Sequence, residues 1–195
     1  MIDTRKVRQS SPRSSEDSRS AILESTRIEL VENGWRKFSV DKVSRHAKAS
    51  KQTIYRWWPA IGAMCVEAAL ELLPPVKAKG RDPAERIADI LEPFEQAVRA
   101  NAGYDILRSA ILASADDKEA GDVWRAWLKE NVRAPLRLIL AEIASKKVIR
   151  RDYDLDHAMD ILTGPIWNRL VIMRAPLPEG FAKTQSQLLL RLLAP

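Results

Sequence analysis

The chain has 195 residues, 46% of them apolar and 30% charged, which is the composition of an ordinary globular protein with enough core to need no disulfide. Its one cysteine, Cys65, has no partner to bridge, and beside it stand only His46 and His157. That is no set of soft ligands for zinc or iron, so no metal and no organic cofactor is expected. The first twenty residues have no apolar signal core, and no run approaches the ~18 uninterrupted apolar residues of a membrane span; the expectation is a cytoplasmic protein with no membrane partner. Net charge is +6, and residues 1–58 hold all of the excess, with 13 Lys and Arg against 7 Asp and Glu, while residues 59–195 hold 19 of each. Such an excess describes a solvated face as readily as a nucleic-acid footprint, and its position in the fold has to decide.

Residues 1–19 are rich in Ser, Arg and Asp with almost nothing to bury, which predicts a disordered, weakly basic arm, either solvated or touching a minor groove. From Ser20 the apolar positions Ile22, Leu23, Leu30 and Val31, with Thr26, recur at helical spacing until Asn33-Gly34 ends the run. Ser39 then stands as the N-cap of a short helix that turns Val40, Val43 and Ala47 inward. After a turn at Lys48-Ala49, Ser50 caps a second short helix from Lys51 to Trp58, which Pro59 closes. Two helices of about two turns joined by about three residues form a helix-turn-helix signature. A helix from about Gly62 to Leu73, with Met64, Cys65, Ala68 and Leu72 on one face, completes a domain over residues 20–73; Cys65 reads as a packing residue. Pro74-Pro75 and the stretch to Arg81 read as a linker.

Residues 82–195 are helical throughout, which makes the fold class all-α. Asp82-Pro83-Ala84-Glu85 combines an N-cap, a first-turn proline and a capping-box glutamate, and opens a helix to about Ala100 that Pro93 should kink. Further helices fit residues 103–115, 118–146 with an interruption at Pro135, 155–174, and 179–193 after Pro176-Leu177-Pro178. The segment 155–174 carries one apolar stripe (Met159, Leu162, Ile166, Leu170, Met173) and a second apolar side with Ile161, Trp167 and Val171. A helix apolar on several faces is buried on several faces, which fits either a central core helix or a face shared with a second copy. Asp152, Asp154, Asp156 and His157 read as a loop and helix start, where acids complement the dipole. With no Gly-rich phosphate loop, metal-ligand spacing or nucleophile motif, an enzyme is not expected.

In the helix-turn-helix, Ser50, Lys51, Gln52 and Thr53 occupy the start of the helix that would enter a major groove, and Tyr55, Arg56 and Trp57 follow on its exposed side. Gln52 has the geometry for adenine and Lys51 for guanine. Trp58 is the aromatic most readily read as packing. Lys42 and Arg45 share a face of the preceding helix, Lys48 lies close by in the turn, and here the charge excess and the motif coincide. The stretch from Ile22 to Met64, with Gly34-Trp35, Ser39-Val40-Asp41 and above all Ser50-Lys51-Gln52-Thr53-Ile54-Tyr55-Arg56-Trp57-Trp58-Pro59, resembles the DNA-binding domain of TetR-type (tetracycline-repressor-like) transcription regulators. A weaker similarity links Leu162-Thr163-Gly164-Pro165-Ile166-Trp167, Arg169-Leu170 and the Pro176 to Pro178 turn to the last two helices of many members.

The resemblance implies a repressor that binds palindromic double-stranded operator DNA as a homodimer, paired through its last two helices (about 155–174 and 179–193). It further implies release by a small-molecule effector held in the C-terminal ligand-binding and dimerisation domain, residues 82–195. Carried over by position, Ser39 and Thr53 contact phosphates, Tyr55 and Trp57 make aromatic phosphate contacts, and Lys51 and Gln52 read bases. Three positions depart from the pattern: Lys48 stands where the turn usually has glycine, Ile61 where a lysine usually starts the fourth helix, and Gly62 where a better helix former is common. Phe94, Tyr104, Leu107, Ile111, Trp124, Trp127 and Trp167 are the large apolar candidates for the effector pocket. They favour an apolar or planar effector, and the balanced charge of the second domain gives no hint of a strongly ionic one. The alternative is a DNA-binding dimer, architectural or ligand-independent, whose C-terminal domain only pairs or binds another protein.

Overall fold

The structure, a computed structural model, describes residues 15–195; the basic arm expected over residues 1–19 therefore lies outside the described residues up to position 14. Ten α-helices follow one another: α1 (Ser15–Asn33), α2 (Val40–Ala47), α3 (Lys51–Trp57), α4 (Ile61–Leu70), α5 (Pro83–Arg99), α6 (Gly103–Asp116), α7 (Lys118–Leu128), α8 (Ala134–Ser145), α9 (Leu155–Trp167) and α10 (Phe181–Leu192). A 3-10 turn, Trp35–Lys37, follows α1, and π-helical turns, Lys129–Arg133 and Asn168–Ile172, follow α7 and α9. There is no strand among the described residues.

Most boundaries have the causes expected of them. Gly34 takes φ +64 at the end of α1 and donates its N–H to the Leu30 carbonyl at 3.0 Å. Asp82 caps the helix by accepting from the Glu85 N–H at 2.9 Å, while Glu85 reaches past the N-cap to accept from the Arg81 N–H at 2.7 Å, so the acid expected to close a capping box bonds the amide one residue earlier. Asp154 caps α9 by accepting from the amides of Asp156 and His157. The linker is tied down too, because the Asp89 carboxylate accepts from the amides of Lys79 and Gly80 at 2.7 and 2.8 Å.

Four expectations need correction. Helix α1 begins at Ser15 rather than Ser20, because Arg19 gives that extra turn a tertiary anchor described below. Helix α5 runs on through Pro93; the proline is itself buried among Ile90, Leu91, Phe94 and Ala97, and that packing outweighs one missing ladder bond. The break expected at Pro135 is a π turn that ends just before it, with Pro135 in the first turn of α8, where its missing N–H is harmless. The helix expected over 155–174 is α-helical only to Trp167, continues as a π turn, and stops at Arg174 with φ +50.

Two apolar clusters share α4. Met64 and Ala68 face a small core made with Ile22, Leu23, Val43, Ala47, Ile54 and Trp58. Cys65, Val66 and Ala69 face the large core that continues through α5 to α10 and also takes Leu30 from α1. Half-buried Ile61 packs against both, which explains an apolar residue at the start of this helix. Burial pushes the Cys65 thiol well above the usual thiol range, so it stays protonated and acts as a packing residue. Gly62 has its own reason: a Cβ there would meet Asp117 Cγ at 2.8 Å, Asp117 Cβ at 2.9 Å and Ala120 Cβ at 3.0 Å. Asp117 cannot step aside, since it is the N-cap of α7 and accepts from the Ala120 N–H at 2.8 Å.

Replacing Gly62 by alanine therefore trades about 1 kcal/mol of helix propensity against an overpacking cost of about 1–3 kcal/mol. Gly62→Ala is expected to lower stability in urea denaturation despite being the better helix former, and a stabilised variant would refute the close α4–α7 approach.

Candidate nucleic-acid interface and effector region

Helix α3 has a single buried side chain, Ile54. Everything else on it is presented outward: Lys51, Gln52, Tyr55, Arg56 and Trp57 are exposed, and Thr53 is half-buried. Ser50 caps the helix by accepting from the Thr53 N–H at 3.0 Å, and its hydroxyl lies 2.9 Å from the Thr53 hydroxyl. The turn before it uses Lys48 in the left-handed region at φ 53, ψ 41, a conformation glycine would adopt without strain. Ser44 closes that turn by donating its hydroxyl to the Ala49 carbonyl at 2.6 Å. Arg45, Lys48 and Arg56 are exposed and make no ion pair among the described residues. Most of the candidates from Ser39 to Trp57 thus face solvent, with Ser39, Lys42 and Thr53 only half-buried.

Two candidate cations are already engaged. Lys51 pairs with Asp41 of α2, whose carboxylate raises the lysine above the ordinary ammonium range. Lys42 leans toward Glu29, 3.7 Å away. Ser39 holds the N-cap position of α2 but makes no side-chain cap bond. Its backbone N–H donates instead to Glu29 Oε1 at 3.2 Å. Glu29 is fully buried on α1, and its second oxygen has no hydrogen-bond partner. A carboxylate at the start of α2 is favoured by the helix dipole and leaves the Ser39 hydroxyl free. Sequence reasoning missed Glu29; its only signal was an acid at a position in phase with the inward face of α1.

The far end of α3 is clamped by residues also missed. Trp58 is buried, as expected of it, and donates Nε1–H to Glu67 Oε2 on α4 at 2.6 Å. The Arg19 guanidinium lies 5.8 Å from the centroid of the Trp58 ring, pairs with Glu67, and comes within 3.5 Å of Glu71. Arg27 joins Glu71 to Glu24. Together α1 and α4 hold the end of α3 through one indole and an ion network.

Four of the effector candidates, Phe94, Trp124, Trp127 and Trp167, form a second group. Phe94 and Trp127 meet edge to face at 5.6 Å, Trp124 and Trp167 at 5.4 Å, and Trp124 and Trp127 lie 6.4 Å apart. Phe94, Leu107, Ile111 and Trp124 are buried, whereas Tyr104, Trp127 and Trp167 are half-buried. Tyr104 donates its hydroxyl to the Leu170 carbonyl at 3.4 Å. The Trp124 indole N–H is buried with no acceptor, an unpaired donor inside an otherwise apolar cluster. On α9 and its π turn, Leu162, Ile166 and Leu170 of the expected stripe are buried, but Met173 is 63% exposed, beside Ile172 at 72%. On α10, Leu188 and Leu192, one turn apart, are 43% and 59% exposed.

Glu29→Ala strips the Ser39 amide of its acceptor and leaves a small void, a loss of about 2–3 kcal/mol in urea denaturation. Glu29→Gln keeps a carbonyl acceptor and is expected to lose less; equal losses would show that the amide bond contributes nothing.

Comparison with known proteins gives a consistent picture. Residues 81–188 match the family profile of the tetracyclin repressor-like C-terminal domain. An uncharacterised HTH-type transcriptional regulator, YdeS of Bacillus subtilis strain 168, is 26% identical over 170 residues, covering 86% of this chain and 85% of that protein. Another, Rv1556 of Mycobacterium tuberculosis strain H37Rv, is 25% identical over 152 residues, 75% of this chain and 73% of that one. Among solved structures, the TetR family transcription regulator SCO0332 superposes with a TM-score of 0.63 at 24% identity, over 92% of this chain and all of that one. Salmonella enterica GusR gives 0.63 at 19% identity, over 96% of this chain and 99% of that one.

Proposed function

Because the chain belongs to the TetR family of transcription regulators, we propose that it is a repressor that holds a palindromic operator as a dimer and lets go when a small molecule binds its C-terminal domain. The observation that carries the DNA-binding half is α3 itself, a capped helix that buries one side chain and turns the rest of its polar and aromatic surface outward. Gln52 and Lys51 read base edges; Ser39, Thr53, Tyr55 and Trp57 hold phosphates, with Lys42, Arg45, Lys48 and Arg56 supplying charge. Pairing runs through α9, the π turn that follows it and α10, where Ile172, Met173, Leu188 and Leu192 supply apolar surface for a second copy. In the dimer two α3 helices stand about 34 Å apart, one turn of DNA.

For the effector, the support is the Trp124 donor left unpaired among aromatic rings. A flat apolar molecule carrying one acceptor satisfies it, and half-buried Trp127 and Trp167 give the way in. Trp124 and Trp127 lie on α7, whose first turn abuts Gly62 of α4, and Glu67 of α4 holds Trp58 at the end of α3. A displaced α7 therefore moves α4 and turns α3. A coupling of about 1–3 kcal/mol is enough to change operator occupancy by about 5- to 150-fold.

Fluorescence anisotropy with the duplex upstream of the protein's own gene, across a salt series, tests the reading. Saturable, competitor-resistant binding is expected. Arg45→Ala and Lys48→Gly should each reduce the slope of log affinity against log salt by about 0.9 for every phosphate they leave unneutralised. Gln52→Ala should relax base preference by about 1–3 kcal/mol at one position in each half-site. If all duplexes bind alike, the architectural alternative replaces the operator reading. Asp41→Asn frees Lys51 and removes a negative charge from the DNA face, so it is expected to tighten binding by about two- to fivefold in the same assay.

A further inference from the structure

A cleft of about 500 Å³ opens at the joint between the two parts of the protein, where the end of α1 and its 3-10 turn meet α6 and the end of the π turn after α9. Four cations converge on it, Arg36 and Lys37 from the head and Arg108 and Arg174 from the C-terminal core, against one acid, Glu32. None of the four is ion-paired among the described residues, although ion pairs are frequent elsewhere in the chain. Two of the lining residues carry a donor, Arg108 Nε and Asn33 Nδ2, that is buried without an acceptor. Buried donors in folded proteins are nearly always satisfied, so two at one cleft mark a missing partner. The rest of the wall is apolar: Trp35, Leu112 and Val171. Trp35 is fixed in place by its own indole N–H, which donates to Asp116 Oδ2 at 2.9 Å.

We propose that this cleft binds an organic anion, a carboxylate or phosphate carried on a flat apolar body. The anionic end accepts from Arg108 and Asn33 and draws in Arg174, a charge-assisted set in which guanidinium forks match carboxylate or phosphate oxygens. The apolar body lies against Trp35, Leu112 and Val171. The volume suits a molecule of one or two rings. This site is separate from the Trp124 cluster, and its occupant spans head and core. It ties the 3-10 turn, which leads directly into α2, to α6, and so fixes the angle at which the α2–α3 unit leaves the core. The cations come from three segments far apart in sequence, which is why the balanced charge of the second domain hid the site.

Isothermal titration of the full chain with 2-naphthoate and 2-naphthyl phosphate, with neutral 2-naphthamide alongside, tests this. The anions should give saturable binding and the amide none. Arg108→Gln and Arg174→Asn, the second chosen because asparagine tolerates the left-handed backbone at that position, should each weaken binding by about tenfold or more while the melting temperature holds. Dilution heats alone with both anions, equal binding of the amide, or unchanged affinity in both variants would overturn the proposal. The readout involves no DNA, so its failure leaves the operator reading standing and the reverse.

Discussion

Everything that α3 can do rests on α4 being apolar on two sides. A seven-residue helix is far too short to be stable alone, and the burial of Ile54 supplies only about 2 kcal/mol. The pose of α3 is borrowed from its neighbours: from α1 and α4 through Trp58, Glu67 and Arg19, and from α2 through the Ser44-closed turn. Helix α4 is in turn set by the large core on its other side, and its distance from α7 is fixed by the absence of one Cβ at Gly62. A side chain that improved the helix locally would thus disturb the angle between head and core. The three residues that depart from the family pattern each have a local account in these terms: Lys48 bears a left-handed turn, Ile61 bridges two cores, and Gly62 permits a close approach.

Charge in the head is divided between holding and presenting. Arg19 and Arg27 face inward to Glu67, Glu71 and Glu24, Lys42 leans toward buried Glu29, and Lys51 sits with Asp41. Arg45, Lys48 and Arg56 are left to face outward. The free positive surface of the α2–α3 unit is therefore narrower than the excess over residues 1–58 implies, with Arg45 and Lys48 before the capped start of α3 and Arg56 in its last turn.

The local grammar of the chain was legible because each signal acts within one turn of helix. Ser50, Asp82 and Asp154 cap the helices they precede, Gly34 ends α1, and the helix-turn-helix lies where its spacing puts it. What escaped were contacts between distant segments. The extra turn at Ser15 depends on Arg19 reaching α4, forty-odd positions away, and the continuity of α5 through Pro93 depends on burial that no window around the proline contains. A serine before a short helix is usually its cap, but at Ser39 a buried glutamate on another helix takes the amide and the hydroxyl caps nothing. Four aromatic candidates, Phe94, Trp124, Trp127 and Trp167, lie in contact, though the orphaned Trp124 donor and the cationic cleft are visible only once the helices are assembled.

The distribution of the six tryptophans has an optical consequence. Trp57 faces water on α3, Trp58 lies next to it beneath a guanidinium, Trp35 sits at the joint, and Trp124, Trp127 and Trp167 form one group in the core. The core trio is close enough, with rings tilted by 37° and 63°, for its indole transitions to couple, and so is the Trp57–Trp58 pair at 6.2 Å. Collisional quenchers in solvent reach Trp57 far more readily than Trp58 or Trp124. Quenching of the emission therefore reports on the outer face of α3, and the native chain carries, without labelling, a spectral marker of that surface set apart from its buried indoles.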